Sequence, residues 1–306
     1  MVLIDPNGTD RRAAETELLD VSVVIVNYKV RELLHDCLRS VEAALAGLRG
    51  EVWVVDNASG DGSVEMVRAD FPWVRLIANE QNRGYGAANN QAIGPARGRY
   101  VLVLNPDTKL PPHAIVDTIA EMEAHPDIGA LGPKLVLADG SLDKACRRSF
   151  PSPEVAFYRL FGLARLFPRH RRFARYNLLD VDEDTPLDVD SVVGAFMLVR
   201  RVVIQQVGMF DEAFRLYGED LDWAFRIKQA GWRVRYHPAV VVLHLKGQSS
   251  RQRPVTSIRL FYDAMHTFYD KHYAGEHSGP FNAMIHLGIS AHEKAALLRN
   301  RFKPRT

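Results

Sequence analysis

The sequence predicts an α/β fold with a mixed, mostly parallel sheet and helices on both faces. Short apolar runs, such as residues 21–26 and 100–104, alternate with stretches whose apolar residues recur every three or four positions. Continuous apolar runs are typical of strands that are buried on both faces, as in parallel sheets. Polar residues directly follow several of these runs, and open α/β folds bind ligands at that edge of the sheet.

The composition is that of a folded protein with a large core. Of the 306 residues, 47% are hydrophobic, and the formal net charge of +2 argues against nucleic acid as a partner. Residues 1–20 are polar and aperiodic, which predicts a flexible tail rather than a signal peptide or a membrane span. Cys37 and Cys146 lack the spacing of a metal site or a disulfide framework, so we expect reduced thiols and a cytoplasmic protein.

The first half of the chain alternates strands with helices. The predicted elements are a strand at 21–26, a helix at 33–45, a strand at 52–55, a helix at 63–69, a strand at 74–78, a helix at 86–96 and a strand at 100–104. Because a helix separates each pair of strands, the strands are expected to be parallel. Two prolines at 111 and 112 start the next helix, and a strand follows at 128–136.

A basic, aromatic insert at about 144–178 interrupts this alternation. Up to residue 176, Glu154 is its only acid, whereas arginines and phenylalanines such as Arg148, Phe161 and Phe167 recur throughout. Such a segment can rest on anionic headgroups with its rings in the membrane interface. The alternative is a solvated basic face whose rings pack inward.

Order returns in the last part of the chain. The predicted elements are a strand at 189–199, a helix at 202–207, a helix at 219–230, strands around 234 and at 240–243, and two helices at 258–273 and 281–298. We therefore divide the chain into a tail at 1–20, a catalytic domain at 21–253 and a C-terminal helical extension at 254–306. The apolar surface of the last two helices predicts either a homodimer interface or a cover for the domain.

Two polar loops predict a nucleotide-binding rim. Asp56, Asn57 and Ser59 follow the second strand, at the edge of the sheet where side chains face a ligand. The alternative is that these residues form an ordinary turn that caps the next helix. Downstream, Arg83 adds a cation and Gly84 permits close backbone approach to a ribose or phosphate.

A second set of residues predicts a diphosphate and cation site. Asp107, with Asn105 two residues before it, follows an apolar strand and is placed to bind Mg²⁺ or Mn²⁺, although a Pro-Asp turn explains the same residues. His244 ends another strand, either as a ligand or as a packed histidine. Lys246 and Arg251 follow it and can neutralise a diphosphate, or lie in a solvated loop.

Three acids open the helix predicted at 219–230. On a helix, Glu219 and Asp222 share a face while Asp220 points elsewhere. One of these carboxylates can serve as a general base that takes a proton from an attacking hydroxyl. Acids at a helix N-terminus also simply complement the helix dipole.

Taken in order, these motifs resemble family 2 glycosyltransferases with a GT-A fold, over roughly residues 21–273. The resemblance implies that Asn27, Tyr28 and Asp56 hold the nucleobase and ribose, and that Asn105 and Asp107 stand at the family's D-x-D metal site. Asn105 replaces the first acid of that site, which leaves Asp107 as the main ligand, with His244 completing the metal shell. The resemblance also implies that Asp220 is the base of an inverting transfer. The residues that match the acceptor-side strand are Gly194, Ala195 and Phe196.

Four motifs stand in the order Gly-Ala-Phe at 194–196, Tyr-Gly-Glu-Asp-Leu-Asp at 217–222, Val-x-x-x-His at 240–244 and Phe-Tyr-Asp-Lys-His-Tyr at 268–273. Within the family they are most similar to those of bacterial rhamnosyltransferases of cell-envelope polysaccharide assembly. This similarity implies dTDP-L-rhamnose as donor, a lipid-linked or oligosaccharide acceptor, and peripheral contact with the cytoplasmic face of the inner membrane. The Gln-x-x-Arg-Trp segment of processive synthases does not follow the acids, so one sugar per encounter is expected.

Three other interpretations of the function remain. A family 2 enzyme that uses a UDP-hexose would keep the same motifs. A sugar nucleotidyltransferase needs a glycine-rich basic loop after the first strand, and residues 27–30 offer none. A non-catalytic module that only binds nucleotide sugar fits the missing first metal acid but not the intact Glu219-Asp220 pair.

Overall fold

The computed structural model describes residues 18–160, 162–167, 170, 172–173, 175–246 and 254–302. The strands are β1 (Leu19–Asn27), β2 (Gly50–Asp56), β3 (Arg75–Ala78), β4 (Gly98–Leu104), β5 (Thr108–Lys109), β6 (Ile128–Val136), β7 (Leu187–Val189), β8 (Phe196–Arg200) and β9 (Arg233–His244). The helices are α1 (Arg31–Ala44), α2 (Ser63–Asp70), α3 (Tyr85–Ile93), α4 (Ala114–Ala124), α5 (Pro153–Leu160), α6 (Leu163–Leu166), α7 (Arg201–Val207), α8 (Glu219–Gln229), α9 (Pro254–His272) and α10 (Gly279–Arg301).

These strands form one mixed sheet in the order β3-β2-β1-β4-β8-β6-β9-β5, with β7 paired to β9. The predicted α/β class is confirmed, and β1 to β4 pair in parallel as their helical connections require. Beyond β4 the sheet is mixed, because β8 runs antiparallel to both β4 and β6. β6 therefore runs in the same direction as β4, and β9 is parallel to β6.

This topology brings distant loops to one edge of the sheet. The carboxyl ends of β1, β2, β4, β6 and β9 all lie at that edge, and so does the beginning of the antiparallel strand β8. Asn27, Asp56 and His244 are the last residues of β1, β2 and β9. The core beneath them is largely apolar, with Ile25, Leu102 and similar side chains entirely buried.

Some elements differ from the sequence-based expectation in number or extent. The two strands predicted near 234 and at 240–243 are one strand, β9, whose register against β6 shifts between Pro133 and Lys134. The strand predicted at 189–199 is two strands, β7 and β8, separated by a turn. β1 begins at Leu19, inside the predicted tail, and the rest of that tail lies outside the described residues.

The insert at 144–178 contains α5 and α6, but two of its arginines are not available to a membrane. Arg147 is buried and donates to the carbonyl oxygens of Asp182 and Val181. Arg148 is buried against Asp220. The expectation that the cations of the insert meet anionic headgroups is therefore wrong for these two residues, whereas Leu166 and Phe167 are exposed. Phe161 lies outside the described residues.

The C-terminal extension is joined to α8 through a buried carboxylate. Asp222 is fully buried and bonds Arg226 Nε at 2.8 Å, Lys271 Nζ at 2.6 Å and His272 Nε2 at 2.9 Å. Burial opposes ionisation, but the hydrogen bonds from His272 and Lys271 and the charge of Arg226 outweigh it and lower the pKa of Asp222 to about 2. Asp222 thus ties α9 to the helix that carries Glu219 and Asp220.

This contact makes stability depend on acid pH. The pKa of Asp222 is lower in the folded than in the unfolded chain. Its contribution to the free energy of unfolding, about 2–3 kcal/mol, is therefore present above about pH 4 and is lost as the pH falls towards 2. We expect Asp222→Asn to be less stable at neutral pH and to lack this component, measured by urea unfolding at several pH values. Asp211→Asn, which removes a partly exposed partner of Lys271, should change the profile much less. Equal pH profiles for Asp222→Asn and the wild type would contradict this assignment.

Candidate active site

The predicted nucleotide-binding rim is built on a buried polar contact between the ends of β1 and β2. The Asn27 side-chain amide donates to Asp56 Oδ2 at 2.9 Å and to Ser59 Oγ at 3.0 Å. The backbone amide of Ser59 donates to Asp56 Oδ1 at 3.0 Å. All three side chains are buried, and Asn27 Oδ1 has no partner among the described residues. Asp56 is therefore held in one orientation, and an acceptor oxygen beside it is left for a ligand.

Asn57 connects this rim to the loop that precedes α3. Its Oδ1 accepts from the backbone amide of Arg83 at 2.9 Å, and its Nδ2 donates to the carbonyl oxygen of Gly84 at 3.1 Å. Gly84 has a φ of +87°, and a Cβ there would lie 2.7 Å from the carbonyl oxygen of Arg215, so only glycine fits. The Arg83 side chain is exposed and lines a cavity of about 680 Å³ with Arg215 and neighbouring residues. Tyr28 is half-buried at the end of β1.

Tyr85 bridges the predicted donor and acceptor sides of the cleft. Its hydroxyl lies 2.9 Å from Asn105 Oδ1 and 3.1 Å from the carbonyl oxygen of Gly194. Burial, together with the charges of Glu219 and Asp220, raises the pKa of Tyr85 well above its ordinary value, so the hydroxyl remains a hydrogen-bond donor. Tyr85 directly follows Arg83 and Gly84, which were predicted to be functional, but Tyr85 itself was not predicted.

Asp107 and His244 meet as predicted from their strand ends. His244 Nε2 lies 3.4 Å from Asp107 Oδ1, and both residues are nearly buried. The other ring nitrogen, Nδ1, lies 2.9 Å from Asp143 Oδ2, while Asp143 Oδ1 pairs with Lys246 Nζ. Burial disfavours a charged imidazole, but hydrogen bonds with Asp107 and Asp143 outweigh it and raise the pKa of His244 to about 9. Asp143 was not predicted from the sequence.

Asp220 is held by three donors. Its Oδ2 accepts from Arg148 Nη2 at 2.8 Å and from the backbone amide of Gly194 at 3.0 Å, while Oδ1 accepts from the backbone amide of Leu221 at 2.7 Å. Arg148 also donates to the Val192 carbonyl oxygen at 3.0 Å. Each of these contacts is one that a carboxylate makes, and together they fix Asp220 beside Gly194.

Glu219 has a different environment from its neighbour. It is buried, and its Oε2 has no hydrogen-bond partner among the described residues. Burial and the adjacent charge of Asp220 raise the pKa of Glu219 to about 8, so it is protonated at neutral pH.

The other predicted site residues are buried or lie outside the described residues. Asp222, which is expected to share a helix face with Glu219, is enclosed by Arg226, Lys271 and His272. Ala195 and Phe196 are buried where β8 begins, and Asn105 N donates to the Ala195 carbonyl oxygen. Arg251 lies outside the described residues.

The sheet and the polar cluster at its carboxyl edge define a GT-A glycosyltransferase, and comparisons with known proteins agree. The chain belongs to glycosyl transferase family 2, whose profile matches residues 22–208. An N-acetylglucosaminyl-diphospho-decaprenol L-rhamnosyltransferase of Mycobacterium tuberculosis is 30% identical over 275 residues, which cover 86% of this chain and 87% of that protein.

Solved structures share the fold at low sequence identity. A mannosyltransferase from Pyrobaculum calidifontis, in complex with GDP-mannose and Mn²⁺, matches with a TM-score of 0.53 and 16% identity over 95% of this chain and 89% of that chain. GalNAc-T7 with UDP, GalNAc and Mn²⁺ matches with a TM-score of 0.53 and 16% identity over 83% of this chain, which spans 50% of that chain. The likeness confirms the predicted fold.

Proposed function

We propose that this glycosyltransferase is inverting and non-processive, and that it moves L-rhamnose from dTDP-L-rhamnose to a hydroxyl of a lipid-linked saccharide. It would act in cell-envelope polysaccharide synthesis at the cytoplasmic face of the membrane, with Mg²⁺ or Mn²⁺ bound. The observation that carries the proposal is the geometry at one sheet edge. A fixed carboxylate, Asp220, accepts from the Gly194 amide, and Tyr85 joins the Gly194 carbonyl to Asn105, two residues before the Asp107 that pairs with His244.

On the donor side, Asp56, Asn57 and Asn27 hold the nucleoside. Asp56 is oriented by the side chain of Asn27, and carboxylates in such loops accept from ribose hydroxyls or a base N–H. Tyr28 offers a ring at the end of β1, Arg83 supplies a cation at the rim, and Gly84 allows close approach of the backbone.

The residues present fit a cation that binds together with the diphosphate. Asp107 Oδ1 and His244 Nε2, 3.4 Å apart, are spaced as two adjacent ligands of one ion, which would take the place of the Nε2 proton that the raised pKa of His244 keeps there at neutral pH. In the described ranges, no group of three or more acidic, histidine or cysteine side chains is arranged to hold a metal ion by itself. Mg²⁺ and Mn²⁺ commonly take one or two protein ligands and complete their shell with substrate phosphates and water. Bound there, the ion would neutralise charge on the departing diphosphate.

On the acceptor side, Asp220 takes the proton. The acceptor hydroxyl oxygen forms the bond to the anomeric carbon, the bond from that carbon to the nucleotide diphosphate breaks, and the diphosphate leaves with the electron pair. Among the described residues Oδ1 accepts only the Leu221 amide, which leaves a lone pair for the proton. Arg148 and the Gly194 amide hold Asp220 in position.

The donor and acceptor are proposed from the mycobacterial relative, whose name specifies an L-rhamnosyl group and a diphospho-decaprenol acceptor. A UDP-hexose transferase is the first alternative, because pocket shape rather than motif spacing selects the sugar. A non-catalytic nucleotide-sugar-binding module is the second. Asn105 in place of an acid favours it, whereas the oriented Asp220 does not.

The proposal is tested by nucleotide release from dTDP-rhamnose, UDP-sugars and GDP-sugars, with and without Mn²⁺ or Mg²⁺, in the presence of a polyprenyl-diphosphate-sugar acceptor. We expect release from dTDP-rhamnose that requires both the metal and the acceptor. Nucleotide release from a UDP-sugar but not from dTDP-rhamnose would identify the UDP-sugar as the donor instead. Binding of dTDP-rhamnose without release would favour the non-catalytic module.

A further inference from the structure

We infer that the outer face of α10 is the surface by which this protein docks on anionic lipid. The inference rests on the lipid-linked acceptor proposed above, because such an acceptor is confined to a bilayer. It moves the expected membrane contact from the insert at 144–178, where Arg147 and Arg148 are buried, to the C-terminal helix.

The inner face of α10 is fixed on α9. Tyr269 Oη donates to Asn282 Oδ1 at 2.6 Å, the Nδ1 atoms of His266 and His286 lie 2.7 Å apart, and Ile289 is buried. These contacts occur at successive turns of α10, so the helix presents one defined face outwards.

That outer face carries an apolar stripe. Met284 is 56% exposed, Leu287 72%, Leu298 57% and Phe302 76%. With the exposed Ala291 and Ala295, they follow one another at intervals of three or four residues, which places them on one side of the helix. Side chains of this size are rarely exposed together on a surface without a partner.

Charge complementarity indicates lipid as that partner. Lys294, Arg299 and Arg301 are exposed, and within the described part of the chain none of them has an acidic partner. The sequence continues with Lys303 and Arg305, so residues 293–306 hold five cations and one acid, Glu293. A second copy would present the same cations and repel, whereas anionic headgroups neutralise them while the acyl boundary receives the stripe.

The helix lies on the bilayer rather than through it. No described helix has the length and apolarity that crossing a membrane requires. Helices with an apolar stripe and a basic flank bind in the interfacial plane instead.

The test is co-sedimentation of the full-length protein with phosphatidylcholine vesicles that either contain or lack phosphatidylglycerol. We expect binding to the anionic vesicles and weak binding to the neutral ones. Leu287→Ser/Phe302→Ser should lose affinity by about tenfold or more for the anionic vesicles. Arg299→Gln/Arg301→Gln should lose about 25-fold on the anionic vesicles, at about fivefold per cation, and little on the neutral ones.

Two controls make the result specific. Val202→Ser, at an exposed apolar residue of α7, should bind vesicles like the wild type. All variants should transfer sugar to a short, water-soluble acceptor at the wild-type rate, so a failure of the proposed catalytic activity is visible separately.

Two results would overturn the inference. Leu287→Ser/Phe302→Ser could bind vesicles as tightly as the wild type, in particular if Leu166→Ser/Phe167→Ser abolishes binding. Alternatively, analytical ultracentrifugation without lipid could show a wild-type dimer that Leu287→Ser/Phe302→Ser dissociates, which would assign the face to contact between copies.

Discussion

Replacing Asp220 with asparagine is expected to lower the turnover number by about 10²- to 10⁴-fold, the usual contribution of a positioned general base. The affinity for the donor should change little, because we propose that Asn27 and Asp56, rather than Asp220, hold the nucleoside. Nucleotide release at saturating donor gives the first quantity, and calorimetric titration with dTDP-rhamnose gives the second.

Folding must be separated from catalysis in this experiment. Asp220→Asn leaves the buried Arg148 without its counter-charge, and breaking a buried ion pair costs about 3–5 kcal/mol. The double variant Arg148→Met/Asp220→Asn removes both charges and should unfold more nearly like the wild type. We expect it to stay inactive, because the proton acceptor is still missing.

Glu219→Gln is the matched comparison at the adjacent acid. Because the pKa of Glu219 is raised to about 8, its side chain is neutral at pH 7, and glutamine resembles that neutral form. We therefore expect Glu219→Gln to lose much less turnover than Asp220→Asn. A turnover number that rises through pH 8 in the wild type but not in Glu219→Gln would transfer the base role to Glu219.

The sequence predicts the fold and the ends of the parallel strands well, because both depend on local patterns. An apolar run followed by a polar residue identifies a strand end, and parallel strands bring their ends to one edge, so Asn27, Asp56, Asp107 and His244 could be placed there in advance. β9 is a single strand where two were expected. The break in the apolar pattern near residue 238 marks a shift in the register with β6 rather than the end of a strand.

The partners of these residues could not be predicted, because each comes from far along the chain. Asp143 and His244 are 101 residues apart, and Arg148 and Asp220 are 72 apart. Their meeting depends on the order of β8, β6 and β9 in the sheet, and hydrophobic periodicity carries no information about strand order. Asp222 shows the same limit: its position in α8 was clear, but its contact with α9 was not.

Asp143 gives the second large expected effect. Asp143→Asn should weaken Mn²⁺ binding by about 10- to 100-fold, the usual result of removing the carboxylate that orients a ligating histidine. Asp143 Oδ2 lies 2.9 Å from His244 Nδ1, which turns Nε2 towards Asp107, and at 1% exposure no water replaces that contact. Titration of free Mn²⁺ by electron paramagnetic resonance, with dTDP present, measures the affinity without turnover.

Asp139→Asn is the matched control, since Asp139 lies four residues before Asp143 but bonds only the exposed Ser141 among the described residues. It should bind Mn²⁺ like the wild type. Saturating Mn²⁺ should restore most of the turnover of Asp143→Asn, because His244 and Asp107 are still present and only their alignment is lost. If Asp143→Asn bound Mn²⁺ normally and lost only thermal stability, Asp143 would serve only to cap the turn at Ala145, to whose amide it also bonds at 3.1 Å.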